Sequence, residues 1–140
     1  MQRFFDIFPL LLIPIVIYAI FALMAGTGNS VDTFATDLEK SAFIITMPSG
    51  APWGISGGNI LVGFGILVFF YESIRGVAAS PYAIVHHTIS VLLSLGAMGA
   101  FVLFENFSTS TFFLLMLMCV LDMIAGVIAN IAQSGGWHND

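Results

Sequence analysis

Asp122, His86 and His87 are the residues of this chain whose types and positions could do chemistry. Each interrupts a long apolar run. A charged Asp at the centre of a membrane-spanning helix costs about 2.5–3.5 kcal/mol, so its presence there needs a reason. Asp122 opens a stripe with Gly126, Asn130 and Gln133 at roughly helical spacing, flanked by Ala125 and Ala129. A face so polar and so small should meet other helices and not lipid. The run that holds the histidines carries a matching stripe: His86 or His87, then Ser90, Ser94 and Ala97, with Gly96 and Ala100 as a small-xxx-small pair. The simplest packing sets the two stripes face to face in antiparallel neighbours. At 1.5 Å per residue, His87 and Asp122 are then offset by about 7 Å along the axis. A link between them needs tilt, a bridging water or Ser90.

Three chemistries fit these residues. A midplane carboxylate with neighbouring histidines can take up and release protons along a proton or substrate path. A histidine can supply one axial ligand to a haem or chlorophyll. Adjacent histidines point about 100° apart on a helix, so His86 and His87 cannot clamp one haem between them, and His138 lies in the tail. In the third reading Asp122 is hydrogen-bonded to a neighbouring helix and only fixes packing. The expected cofactor set is therefore empty, with a single-ligand pigment or haem on His86 or His87 as the exception.

A second polar group is expected at one membrane face. Arg3 and Asp6 begin the first apolar run, and Glu72 and Arg75 end the second at an (i, i+3) spacing that suits an ion pair. No G-x-S-x-G, glycine-rich phosphate loop, H-E-x-x-H or H-x-x-E-H is present. The sequence points away from an enzyme. Cys119, the one cysteine, excludes disulfide exchange between paired thiols and reads as a small apolar packing residue.

The elements that must position these groups are apolar helices. The hydrophobic fraction is 59% and the charged fraction 8%, against about 25% charged in soluble domains. A soluble protein so composed would expose large apolar patches. The alternation of a membrane β-barrel is missing. The sequence predicts an all-α polytopic membrane protein, a single domain over 1–140, with four spans at about 4–25, 60–76, 82–104 and 111–132. Pro9 and Pro14 fall in the first span, which reads as a retained signal-anchor helix, and a proline inside a helix kinks it.

Between the first two spans, Val31, Phe34, Ala35, Leu38, Ala42 and Ile45 follow one helical stripe, with acids and Lys40 off it. This predicts an amphipathic interfacial helix over about 31–46, covering the bundle or contacting a partner. The segment 48–59, rich in Gly and Pro, excludes regular helix in its first residues. It reads as an ordered surface connection or as a re-entrant, pore-lining loop. Asn106-Phe107-Ser108 matches a glycosylation sequon in a short connection.

The net charge of −5, with only Arg3, Lys40 and Arg75 basic, argues against nucleic acid and against a polybasic lipid patch. Arg3 and Arg75 fall on one side and Lys40 on the other. The expectation is a bacterial inner membrane with both termini cytoplasmic. Fourteen phenylalanines supply bulky apolar contact for lipid, pigment or partner helices. The expected partners are the bilayer and other membrane subunits or further copies of this chain. The expected function is a non-catalytic accessory or scaffold subunit of a larger membrane assembly, such as an energy-transducing one. The alternative is a small oligomeric proton-coupled transporter or channel built on Asp122 with His86 or His87.

Overall fold

The computed structural model describes residues 8–26, 30–75 and 83–135. In chain order it holds α1 (Leu12–Met24), α2 (Ser30–Glu39), β1 (Ser41–Thr46), β2 (Pro52–Ser56), α3 (Gly57–Arg75), α4 (Ala83–Leu103), a 3-10 turn (Glu105–Phe107) and α5 (Ser110–Gly135). Three helices, α3, α4 and α5, are long and apolar enough to cross a membrane, with mean hydropathy of 1.5, 1.5 and 2.6 over their apolar stretches. These features are those of an integral membrane protein. α5 is the hub and packs against α1, α3 and α4. The buried core takes Phe112, Leu115, Met118 and Cys119 from α5, and Leu11, Ile15, Tyr18 and Ala22 from α1 and the turn before it.

The first apolar run is shorter as a helix than its composition suggests. α1 has 13 residues, about 20 Å at 1.5 Å per residue, against a hydrocarbon core of about 30 Å. Turns over residues 8–11 precede it, with the Leu12 N–H on the Pro9 carbonyl at 3.0 Å and the Ile13 N–H on Leu10 at 3.0 Å. Pro14 is thus the third residue of α1, not an interior one. In the first turn its missing N–H is one that the helix would not have used, so no kink is required.

The amphipathic stripe over 31–46 is realised only to Glu39, where α2 ends. Residues 41–46 are extended and pair antiparallel with β2, setting Phe43 against Ile55, Ile44 against Gly54 and Ile45 against Trp53. The fold is therefore not purely helical. Phe43, Ile44, Ile45 and Thr46 are consecutive aromatic and β-branched residues, which favour the pleated backbone over a helix. The turn explains why the strands meet. Pro48 presets one turn position, and Gly50 takes φ +80° with its N–H on the Met47 carbonyl at 2.8 Å. That left-handed conformation favours glycine. β2 then runs straight into α3, where the Ser56 hydroxyl oxygen accepts the Asn59 N–H at 3.2 Å as a helix cap. The segment 48–59, read as a surface connection or re-entrant loop, is the tip and second strand of this hairpin followed by the first residues of α3.

Candidate functional site

Glu72 is the centre of the most connected polar cluster in the bundle. It lies near the end of α3, is only 5% exposed, and sits where α1, α3 and α4 converge. Its Oε1 accepts the Leu10 N–H at 2.9 Å, and its Oε2 accepts the Leu11 N–H at 3.2 Å. His86 Nε2, from the first turn of α4, lies 3.1 Å from the same Oε1. The carboxylate thus satisfies N–H groups at the start of α1, which have no intrahelical partner, and it places negative charge at the positive end of that helix's dipole.

One turn further along α4, Ser90 donates to Asp122 Oδ2 of α5 at 3.0 Å. A turn beyond, Ser94 donates to the Cys119 carbonyl at 2.8 Å. His86, Ser90 and Ser94 are four residues apart, so they share one face of α4. His87 turns to α5 at a different level. Its ring packs on Gly126, where a Cβ would overlap it, and lies edge-on to His86 with centroids 5.8 Å apart. Gly126 is one helical turn from Asp122, which keeps His87 off the carboxylate. The structure therefore puts Ser90 on Asp122, Glu72 on His86, and neither histidine on Asp122.

Other expected members stand apart. Asn130 is exposed two turns beyond Asp122 and makes no hydrogen bond among the described residues. Glu72 takes the backbone before α1 and His86 as bonded partners; the Arg75 side chain, and with it the expected Glu72–Arg75 pair, lies outside the described residues, as do Arg3, Asp6 and His138. Cys119 is a buried free thiol in the core. Among the described residues, no group of three or more His, Cys, Asp or Glu is placed to hold a metal ion.

A second cluster at the opposite end was not visible in the sequence. Tyr18 of α1 is buried and donates to the Asn106 carbonyl at 2.8 Å. Asn106 Nδ2 donates to the Ala22 and Gly26 carbonyls at 2.8 and 2.6 Å, satisfying acceptors at the α1 C-terminus. Phe34, Phe107 and Phe112 ring Tyr18, with centroids 5.8, 5.7 and 4.9 Å from its own. The Asn106 side chain is thereby buried, which turns the sequon of the linear sequence into an interior cap. The available signal was a lone Tyr in an apolar run, whose hydroxyl needs a partner when buried.

Chemically, the Glu72–His86 contact joins a carboxylate to an imidazole, whereas Asp122 has a serine hydroxyl as its bonded partner. No protein-family model, curated protein or solved structure matches this chain.

Proposed function

We propose that this protein is a non-catalytic accessory or scaffold subunit of a larger membrane assembly. The hairpin is the observation that carries this reading. Phe43 and Ile44, on opposite faces of β1, are 64% and 70% exposed, and Ile45, Met47 and Trp53 are also exposed. A two-stranded hairpin is marginal alone in water. One with apolar side chains on both faces calls for cover from lipid or from another subunit. The polar side chains of the bundle support the same reading, because Glu72, Ser90, Ser94, Tyr18 and Asn106 are all engaged in tying helices together.

In this reading α1 is the fourth crossing. It starts beside Glu72 at one end of α3 and finishes beside Asn106 at the other. With Arg3 and Arg75 on the cytoplasmic side of a bacterial inner membrane, both termini lie inside and the hairpin lies outside. The test is purification of tagged native protein in mild detergent, followed by a native gel, an absorption spectrum and mass spectrometry. A large band containing other subunits, lost in a Phe43→Ser, Ile45→Ser variant, is expected. A colourless homo-oligomer without partners overturns the reading.

The Glu72–His86 and Ser90–Asp122 pairs favour a second reading, a small oligomeric proton-coupled transporter or channel. Asp122→Asn keeps an acceptor for Ser90 and removes the titrating group. In reconstituted vesicles this variant should abolish proton flux with unchanged folding, and a flux equal to wild type overturns this reading.

A further inference from the structure

A cleft of about 280 Å³ opens where the end of α2 meets the beginnings of α3 and α5. Its walls have opposite polarity. On one side stands Glu39, the last residue of α2, whose helix end carries unsatisfied carbonyls and partial negative charge. On the other side, Ser56 and Asn59 flank the first turn of α3, and Ser110 and Thr111 open α5. Both helix starts carry partial positive charge; the Asn59 and Phe112 N–H groups are taken by the Ser56 and Thr109 hydroxyls, which leaves the N–H groups before them without intrahelical partners.

Thr111 points to a ligand independently of the helix ends. The residue is 8% exposed and lines the cleft, yet its hydroxyl makes no hydrogen bond among the described residues. The one fully buried side-chain atom without a partner among the described residues is Asn106 Oδ1, so the Thr111 hydroxyl stays open to the cleft, where an occupant can accept a hydrogen bond from it. Gly58 keeps that space tight. A Cβ there would overlap the Thr111 hydroxyl and come within 3.2 Å of the Leu38 carbonyl oxygen.

Depth supplies the remaining constraint. α3 and α5 are long and apolar enough to cross the membrane, and the cleft lies at the beginning of both. It is therefore level with lipid headgroups. Val62 and Leu114 form its floor one turn further along each helix, so the lining passes from polar to apolar toward the hydrocarbon. An occupant should combine an anion, a cation close by, and an apolar continuation.

We propose that this cleft binds a phosphate–amine zwitterion, the headgroup chemistry of phosphatidylethanolamine. The phosphate sits on the paired helix starts with the Thr111 and Ser110 hydroxyls donating to it. The ammonium lies beside Glu39, and the acyl chains leave over Val62 and Leu114.

The test is native mass spectrometry of the delipidated full chain, titrated with dioleoyl-phosphatidylethanolamine or dioleoyl-phosphatidylglycerol. The expected result is preferential retention of the ethanolamine lipid. Glu39 is exposed, so Glu39→Gln should fold normally and reduce that preference about tenfold, the loss of one charge-assisted hydrogen bond. Thr111→Val should weaken both lipids by several-fold without changing their ratio. Ser110→Ala, on an exposed side chain, gives the same readout if the buried variant fails to fold. Free O-phosphoethanolamine that displaces the lipid at comparable concentration would mark the soluble zwitterion as the ligand. Its failure to compete would mark the lipid. Equal retention of both lipids, or an unchanged ratio in Glu39→Gln, overturns the proposal.

Discussion

Glu72→Ala should detach the start of α1 from the bundle. The substitution removes the acceptor of the Leu10 and Leu11 N–H groups and the partner of His86. At about 1–3 kcal/mol for each donor left unsatisfied in the interior, two backbone donors give about 2–6 kcal/mol. Hydrogen bonds within membranes are worth about 0.6 kcal/mol on average and about 1.7 at most, so three of them give about 2–5 kcal/mol. The two routes agree on a loss of about 2–5 kcal/mol. Glu72→Gln keeps one carbonyl oxygen but turns an NH₂ toward a site built from donors, and should cost about 1–2 kcal/mol. The assay is reversible unfolding in mixed micelles by titration with SDS, followed by far-ultraviolet circular dichroism. A double-mutant cycle with His86→Ala separates the histidine from the α1 backbone. The coupling should be about 0.6–1.7 kcal/mol, with the larger part of the Glu72→Ala loss remaining in the His86→Ala background. A loss below about 0.5 kcal/mol for Glu72→Ala would refute the assignment of this carboxylate as the clasp of α1.

Gly126→Ala should destabilise the α4–α5 pair by about 1–3 kcal/mol, because the added methyl overlaps the His87 ring. His87→Ala should relieve most of that loss in the same SDS titration. Tyr18→Phe keeps the ring among its phenylalanine neighbours and deletes the hydroxyl's bonds to the Asn106 carbonyl and the Thr109 hydroxyl, so a loss of about 1–3 kcal/mol is expected; a loss above about 4 kcal/mol would mean that the ring itself had moved. Gly50→Ala forces a side chain into the left-handed region at the hairpin tip and should cost about 1–2 kcal/mol of local stability. Hydrogen exchange confined to residues 41–56 would register it.

The polar stripes of α4 and α5 were legible because side chains on one helix recur at a fixed spacing. That period is local, and it put Ser90, Ser94, Asp122 and Gly126 on facing surfaces without any knowledge of the fold. Glu72 shows where such reasoning stops. Its neighbour at (i, i+3) is Arg75, and local spacing can propose only that. Its bonded donors at Leu10 and Leu11 are 62 and 61 residues away and belong to the backbone, which carries no residue-type signal. The stripe over 31–46 misled for a related reason. Short apolar runs fit the helical and the extended period alike, and the decisive cues were the unbroken Phe43-Ile44-Ile45-Thr46 run and the turn at Pro48 and Gly50. Pro14 belonged to a helix whose beginning depends on the Glu72 clasp, so its position within the first turn depended on tertiary structure.

The two clasps of α1 also set an order of events during synthesis. Its beginning waits for Glu72 and its end waits for Asn106, which follows Ala22 by 84 residues. At about 5–20 residues per second, the helix is made roughly 4–17 s before its last partner exists. Throughout that interval its end carbonyls and Tyr18 must be held by lipid headgroups, water or the insertion machinery. The earliest of the described helices is thus seated only after residue 106 has been made.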